Sequence, residues 1–198
     1  MLLSNDGLSC YVDNATFGKV EGNLVKNGNF ETQETGRYVA MAGWDCGTNI
    51  REYTHLDYEP GRNYVAHIAG EKEVGRVITS AAMAVTPRAT YTLAVDFKGK
   101  VTTEWLQVYL RFYDENGRQL NALETYRYEE FRSDSGTLTE QWQTSVLTLT
   151  APDGAASMKV LFSLAGQYEK ADANTPSVPL DVYDVTLDNV IVNMTSPA

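Results

Sequence analysis

The residues of this chain offer little to nucleophilic or acid–base catalysis. Histidine occurs only at His55 and His67, and His67 falls in an alternating run, Tyr64, Ala66 and Ile68 against Val65, His67 and Ala69. That pattern reads as a structural or surface histidine on a strand. No G-x-S-x-G elbow, H-E-x-x-H zinc helix or G-x-x-x-x-G-K-[ST] phosphate loop occurs. A glycosidase needs only two carboxylates facing each other across a sugar bond. The candidates are Glu129, Glu130 and Asp134 in one segment and Asp181, Asp184 and Asp188 in another, and in an acidic chain such groups read first as a solvated face.

A different chemistry is written between Glu104 and Tyr113. Gln107, Tyr109, Arg111 and Tyr113 alternate there with Leu106, Val108, Leu110 and Phe112. Sugars are held by stacking apolar ring faces on aromatics and by hydrogen bonding hydroxyls to planar polar groups, and this row supplies both. Asp96 and Lys98 on the preceding strand, and Ser163 and Gln167 near the following one, are further candidates for the same surface. The competing reading is that these side chains only cover an antiparallel sheet with cross-strand pairs.

The elements that must position these residues are strands. Tyr91, Leu93, Val95 and Phe97 alternate with Thr92, Ala94, Asp96 and Lys98, which predicts a half-buried strand. Asp114-Glu115-Asn116-Gly117 supplies a turn after Tyr113. Further strands are predicted over Trp142 to Thr150, Met158 to Leu164 and Val182 to Val192, with earlier ones near Leu8 to Phe17, Gly43 to Tyr53, Tyr64 to Ala69 and Val74 to Ser80. Tyr126 to Gln141 and Gly166 to Leu180 read as long polar loops. Eight or more strands without an amphipathic helix predict an all-β antiparallel sandwich with jelly-roll topology. Trp105, at a strand start, stays open, and some of the loop aromatics Tyr38, Tyr53, Tyr58, Tyr126, Tyr128, Phe131 and Tyr168 should flank a cleft.

Composition narrows the partners. With 198 residues the chain is one elaborated domain. Lys and Arg total 16 against 26 Asp and Glu, a net charge of −10, which disfavours nucleic acid and anionic membrane surfaces. No run approaches the roughly 18 apolar residues of a membrane-spanning helix, so no membrane insertion is expected. The first residues do not read as an export signal, and compartment must come from elsewhere. Cys10 and Cys46 would close a loop worth roughly 3 to 4 kcal/mol as a disulfide; the alternative is two buried thiols packed as small hydrophobes.

Near the C-terminus, Tyr183, Val185 and Leu187 share one parity while Val190 and Val192 belong to the other. If both sets are buried, the register slips at Asp188-Asn189, as in a β-bulge. A carboxylate there either serves a hard cation such as calcium or caps backbone N–H groups.

The strings NLVKNGNFE with a following GW, PRATYTLAVDFKG, DENG, EQWQTSVLTLTAPDGAASMKVLF and DVTLDNVIV together resemble the jelly-roll carbohydrate-binding modules of the family 4, 9, 16 and 22 type. The resemblance runs from about Asn23 to Val192, and it implies that Trp44 and Trp142 are core positions. It implies a galactose-binding-like β-sandwich over residues 23–194, an N-terminal extension over 1–22 and a tail or linker start over 195–198. It further implies a noncatalytic, extracellular or cell-surface module that binds a polysaccharide or oligosaccharide on its concave sheet and is appended to a glycoside hydrolase. A structural calcium is implied as well, held by the side chains of Glu31 and Asp188, the carbonyl of Asn29 and carbonyls from Pro60 to Asn63. The rival readings are an adhesive β-sandwich of a surface protein and a jelly-roll lyase or hydrolase.

Overall fold

Period-two alternation decides which residues turn inward, and the structure, a computed structural model, follows it strand by strand. It describes residues 22–34, 40–46, 54–71, 76–101, 106–120, 126–131, 136–164 and 182–198. The expected strand near Leu8 to Phe17, the loop from Gly166 to Leu180, and Cys10, Tyr38, Tyr53, Trp105, Asp134, Gln167, Tyr168 and Asp181 lie outside these residues. The described elements are all strands: β1 (Gln33–Glu34), β2 (Ala40–Met41), β3 (Trp44–Asp45), β4 (Thr54–Glu59), β5 (Asn63–Glu71), β6 (Arg76–Ser80), β7 (Met83–Ala84), β8 (Thr90–Val101), β9 (Leu106–Tyr113), β10 (Tyr126–Phe131), β11 (Gln143–Thr150), β12 (Ser157–Leu164) and β13 (Val182–Ser196).

Two antiparallel sheets carry the fold. One runs β10-β9-β12-β6-β3, with β7 also paired to β12; the other runs β11-β8-β13-β5-β4. Between them lie Tyr91, Leu93, Val95 and Phe97 of β8, Leu106, Val108, Leu110 and Phe112 of β9, and Met158, Val160, Phe162 and Leu164 of β12, all buried. Trp44 joins this core as expected, its ring 5.3 Å from Phe30 and 5.8 Å from Phe162. Full burial of each such aliphatic or aromatic side chain stabilises by roughly 1.5 to 3 kcal/mol, so the shared interior is what holds the two outer faces in place. Cys46 is a half-buried free thiol, and burial pushes its pKa up to about 12, which makes it a packing group rather than a nucleophile.

The predicted slip in β13 is present. Its pairing with β8 runs in register to Asp188↔Asp96 and resumes at Ile191↔Ala94, with Asn189 at φ 49°. Val185 and Leu187 before the slip and Val190 and Val192 after it are all fully buried. The chain before β1 docks on the second half of this strand. Leu24 N–H donates to Val192 O (2.9 Å) and Val190 N–H donates to Gly28 O (2.7 Å), while the Asn23 amide donates to Val190 O and accepts from Val192 N–H.

The segment from Tyr126 to Gln141 is not the continuous loop expected from its polar composition. Its first residues form β10, paired to β9 from Tyr126↔Arg111 to Phe131↔Leu106. An edge strand needs only backbone pairing on one side, and Tyr-Arg-Tyr-Glu-Glu-Phe shows no apolar alternation to announce it. The turn at Asp114 to Gly117 is as expected: Asp114 Oδ1 accepts from the N–H groups of Asn116 and Arg118, and Gly117 takes φ 73°.

Gly28 tests how closely the N-terminal segment must approach β13. A Cβ placed there would lie 2.0 Å from Val190 O, so Gly28→Ala must part the two segments and their hydrogen bonds. Urea unfolding of this variant should show a loss of about 3 kcal/mol or more, in the range of backbone clashes in a buried position. An unchanged midpoint would mean that the segment is not docked in this way.

Candidate functional site

Strand β9 sets the outer face of the six-stranded sheet. Because Leu106, Val108, Leu110 and Phe112 are committed to the core, Gln107, Tyr109, Arg111 and Tyr113 must stand on the other side, and all four are half-buried. They are pre-arranged. The Tyr109 hydroxyl donates to Gln107 Oε1 (2.7 Å), the Arg111 guanidinium lies 4.2 Å above the Tyr109 ring, and Arg111 Nη1 donates to Gln119 Oε1 (3.4 Å). On the neighbouring strand Ser163, Leu161, Lys159 and Ser157 stand opposite Gln107, Tyr109, Arg111 and Tyr113 in turn, and Lys159 Nζ is 5.3 Å from the Tyr113 ring. Burial holds the Tyr113 phenol above its ordinary pKa, against the opposing influence of Arg111, so the group is a neutral hydroxyl. On the other flank, Glu130, Tyr128 and Tyr126 of β10 occupy the register positions across from Gln107, Tyr109 and Arg111.

The row therefore joins two phenol rings, two cations and neutral hydroxyl and amide groups on one sheet surface. Stacking and charge-assisted hydrogen bonding are what such a surface can do. Ser163 lies where the sequence reading places it, while Lys159 and Leu161 were missed although the alternation of Ser157 to Leu164 exposes them equally.

Asp96 does not belong to this face. It lies on β8, in the five-stranded sheet, and its outward side chain is on the opposite side of the sandwich from Gln107 to Tyr113. Lys98 shares that fate. Alternation assigns a residue to the outside of its strand, but it does not say which of two sheets the strand joins. Tyr58, 67% exposed, also sits with this sheet, edge-on to Tyr64. Trp142, read as core, is half-buried on the same side. Arg62 lies 3.9 Å from the centre of its ring, and its indole N–H donates to Glu59 Oε1, which also accepts from Lys98 Nζ.

Arg62 is the hub of this second face. Its Nη1 donates to Asp96 Oδ2 (2.9 Å) and to Asp188 Oδ2 (3.0 Å), and Asp96 also accepts from Asn189 Nδ2 and the Thr144 hydroxyl. The two carboxylates respond differently. Burial pushes the Asp188 carboxyl up to about 6, despite the Asn189 N–H and Arg62. Burial also acts against Asp96, but the hydrogen bonds from Asn189, Thr144 and Arg62 outweigh it and hold that pKa below its ordinary value.

These contacts bear on the expected calcium. The turns that were to hold it do meet, since Glu31 Oε1 accepts from Tyr64 N–H (3.0 Å) beside the Pro60 to Asn63 turn. The donor set does not fit the ion. Asp188 Oδ2 is taken by a guanidinium and Oδ1 by the Asn189 N–H (2.7 Å), so a dication on Asp188 would face the fixed positive charge of Arg62. Of the five expected ligand positions, Glu31 and Asp188 are the ones with side-chain contacts, Glu31 to the Tyr64 N–H and Asp188 to Arg62 and the Asn189 N–H, while Asn29 and Pro60 lie in the turns beside them and Asn63 opens β5.

Among solved structures the chain is similar to the enzymatically active domain of tailspike protein 4 of bacteriophage CBA120, at 12% identity and a TM-score of 0.61. That match covers 87% of this chain and 21% of the tailspike chain, so the protein spans about a fifth of that relative. A family 16 carbohydrate-binding module is 17% identical with a TM-score of 0.55, covering 86% of this chain and 99% of the module. TmCBM61, solved with β-1,4-galactotriose, is 12% identical with a TM-score of 0.52, covering 87% and 98%. No protein-family model and no curated protein matches the sequence. The fold is the jelly-roll β-sandwich of carbohydrate-binding modules.

If Arg62 supplies the positive charge at Asp96 and Asp188, removing it leaves two facing carboxylates uncompensated. Arg62→Met should cost roughly 3 kcal/mol in chemical unfolding, the scale of a broken buried pair, and millimolar calcium should leave the melting temperature of the chelator-treated native protein unchanged. A melting temperature that rises with calcium would restore the ion.

Proposed function

We propose that this protein is a noncatalytic glycan-binding β-sandwich that holds a polysaccharide or oligosaccharide chain on the outer face of its six-stranded sheet. The observation that carries the reading is the pre-arranged row on β9, where Tyr109 is fixed between Gln107 and Arg111. Side chains already held in place lose little rotamer entropy when a ligand arrives, which favours affinity. In this reading Tyr109 and Tyr113 stack on sugar rings while Gln107, Arg111 and Lys159 hydrogen bond hydroxyls. The two cations suit a hydroxyl-rich or uronic-acid-containing chain in a protein whose net charge is −10.

The fold supports the reading because TmCBM61, with the same architecture, is seen with a galactotriose. A module of this kind serves as the accessory part of a secreted or surface-bound polysaccharide-degrading system.

Native affinity electrophoresis against soluble β-glucans, xylans, mannans, galactans and pectins should show retardation by one class. Tyr109→Ala should weaken that binding by about 2 kcal/mol, roughly thirty-fold, with an unchanged melting temperature. Uniform mobility against every polysaccharide, or full affinity in Tyr109→Ala, would contradict the assignment.

A further inference from the structure

The outer face of the five-stranded sheet holds a second cluster, built from β4, β5 and β13. His55 and His67 stand directly opposite each other in the β4–β5 ladder, and Asp57, two residues beyond His55, shares their face. Three ligating side chains converge there, Asp57 through both oxygens: His55 Nε2 is 3.2 Å from His67 Nδ1, His67 Nδ1 is 2.9 Å from Asp57 Oδ2, and Asp57 Oδ1 is 3.2 Å from His55 Nε2. Behind them, His67 Nε2 lies 2.8 Å from Asp184 Oδ1.

Both nitrogens of His67 thus face carboxylates, but a neutral imidazole carries one N–H. If Nε2–H donates to Asp184, Nδ1 presents its lone pair to Asp57 at 2.9 Å, and the contact is repulsive unless a cation joins it. A tetrahedral ion with bonds of about 2.0 to 2.1 Å holds its ligand atoms roughly 3.3 Å apart, close to the spacings seen. The second nitrogen bonded to a carboxylate is the arrangement that fixes the tautomer of a metal-binding histidine.

We propose that His55, Asp57 and His67 bind a divalent transition-metal ion, zinc foremost, and that Asp184 positions His67 for it. Two imidazole nitrogens select a borderline ion over calcium or magnesium. His55 and Asp57 are 42% and 50% exposed, so the fourth coordination position opens to solvent and can take water or a donor from a ligand. The ion also ties the edge strand β4 to β5. This site lies on the face away from Tyr109, and its failure would leave the glycan reading untouched.

The test is calorimetric titration of zinc chloride into untagged, chelator-treated protein. One zinc per chain is expected, with affinity reduced at least about a hundred-fold in the His55→Ala, His67→Ala double variant and about ten-fold in Asp184→Asn. Circular dichroism melts of the metal-free proteins verify that the variants fold, and Asp57→Asn, at an exposed position, gives a second reading of the loss. Absence of stoichiometric zinc uptake by the native protein would mean that the cluster is held by hydrogen bonds alone, and undiminished uptake by the folded double variant would place the ion elsewhere. Either result overturns the proposal.

Discussion

Strand β13 buries Val185 and Leu187 on one parity and Val190 and Val192 on the other, and the slip at Asn189 lets one strand do both. Without it, a strict two-residue period would turn the second pair toward solvent. β13 lies between β8 and β5; its pairing with β5 ends at Leu187, before the slip, so the irregularity falls in the ladder with β8. It opens the backbone groups at Val190 and Val192 to Asn23 and Gly28, and it turns Asp188 toward Arg62 beside Asp96. The docking of the N-terminal segment and the charge centre on the five-stranded sheet are two consequences of the same extra residue.

The sandwich then separates two kinds of surface. The six-stranded sheet presents rings, amides, hydroxyls and cations along β9 and β12. The five-stranded sheet is organised by carboxylates: Glu59 between Lys98 and Trp142, Asp96 and Asp188 around Arg62, and Asp57 and Asp184 around His67. A common apolar core holds both, so a change on one outer face need not disturb the other.

Much of this was legible in the sequence because burial and alternation are local properties. The inward rows of β8, β9 and β12 and the slip at Asp188 follow from residue order alone, and so does the outward row from Gln107 to Tyr113. What stayed hidden was relational. Asp96 was assigned to the glycan face because parity marks the outside of a strand without marking its sheet. Trp142 was expected in the core because it matches a core position of the resembling modules, and nothing local hints that Arg62, 80 positions earlier, will stack on it. The contact that bears on the expected calcium was hidden for a similar reason: Arg62 lies 126 residues from Asp188, and no local pattern announces that a guanidinium will pair with its carboxylate. His55 and His67 looked isolated until strand pairing set them face to face.

The most direct test of the account is amide chemical-shift mapping by nuclear magnetic resonance while the native protein is titrated with a soluble oligosaccharide of the class that retards it. The account predicts shifts concentrated on β9 and β12, around Tyr109, Arg111 and Lys159, with β4 and β5 unmoved. Shifts confined to β4, β5 and the Arg62 turn would contradict it, placing the glycan on the face organised by ion pairs.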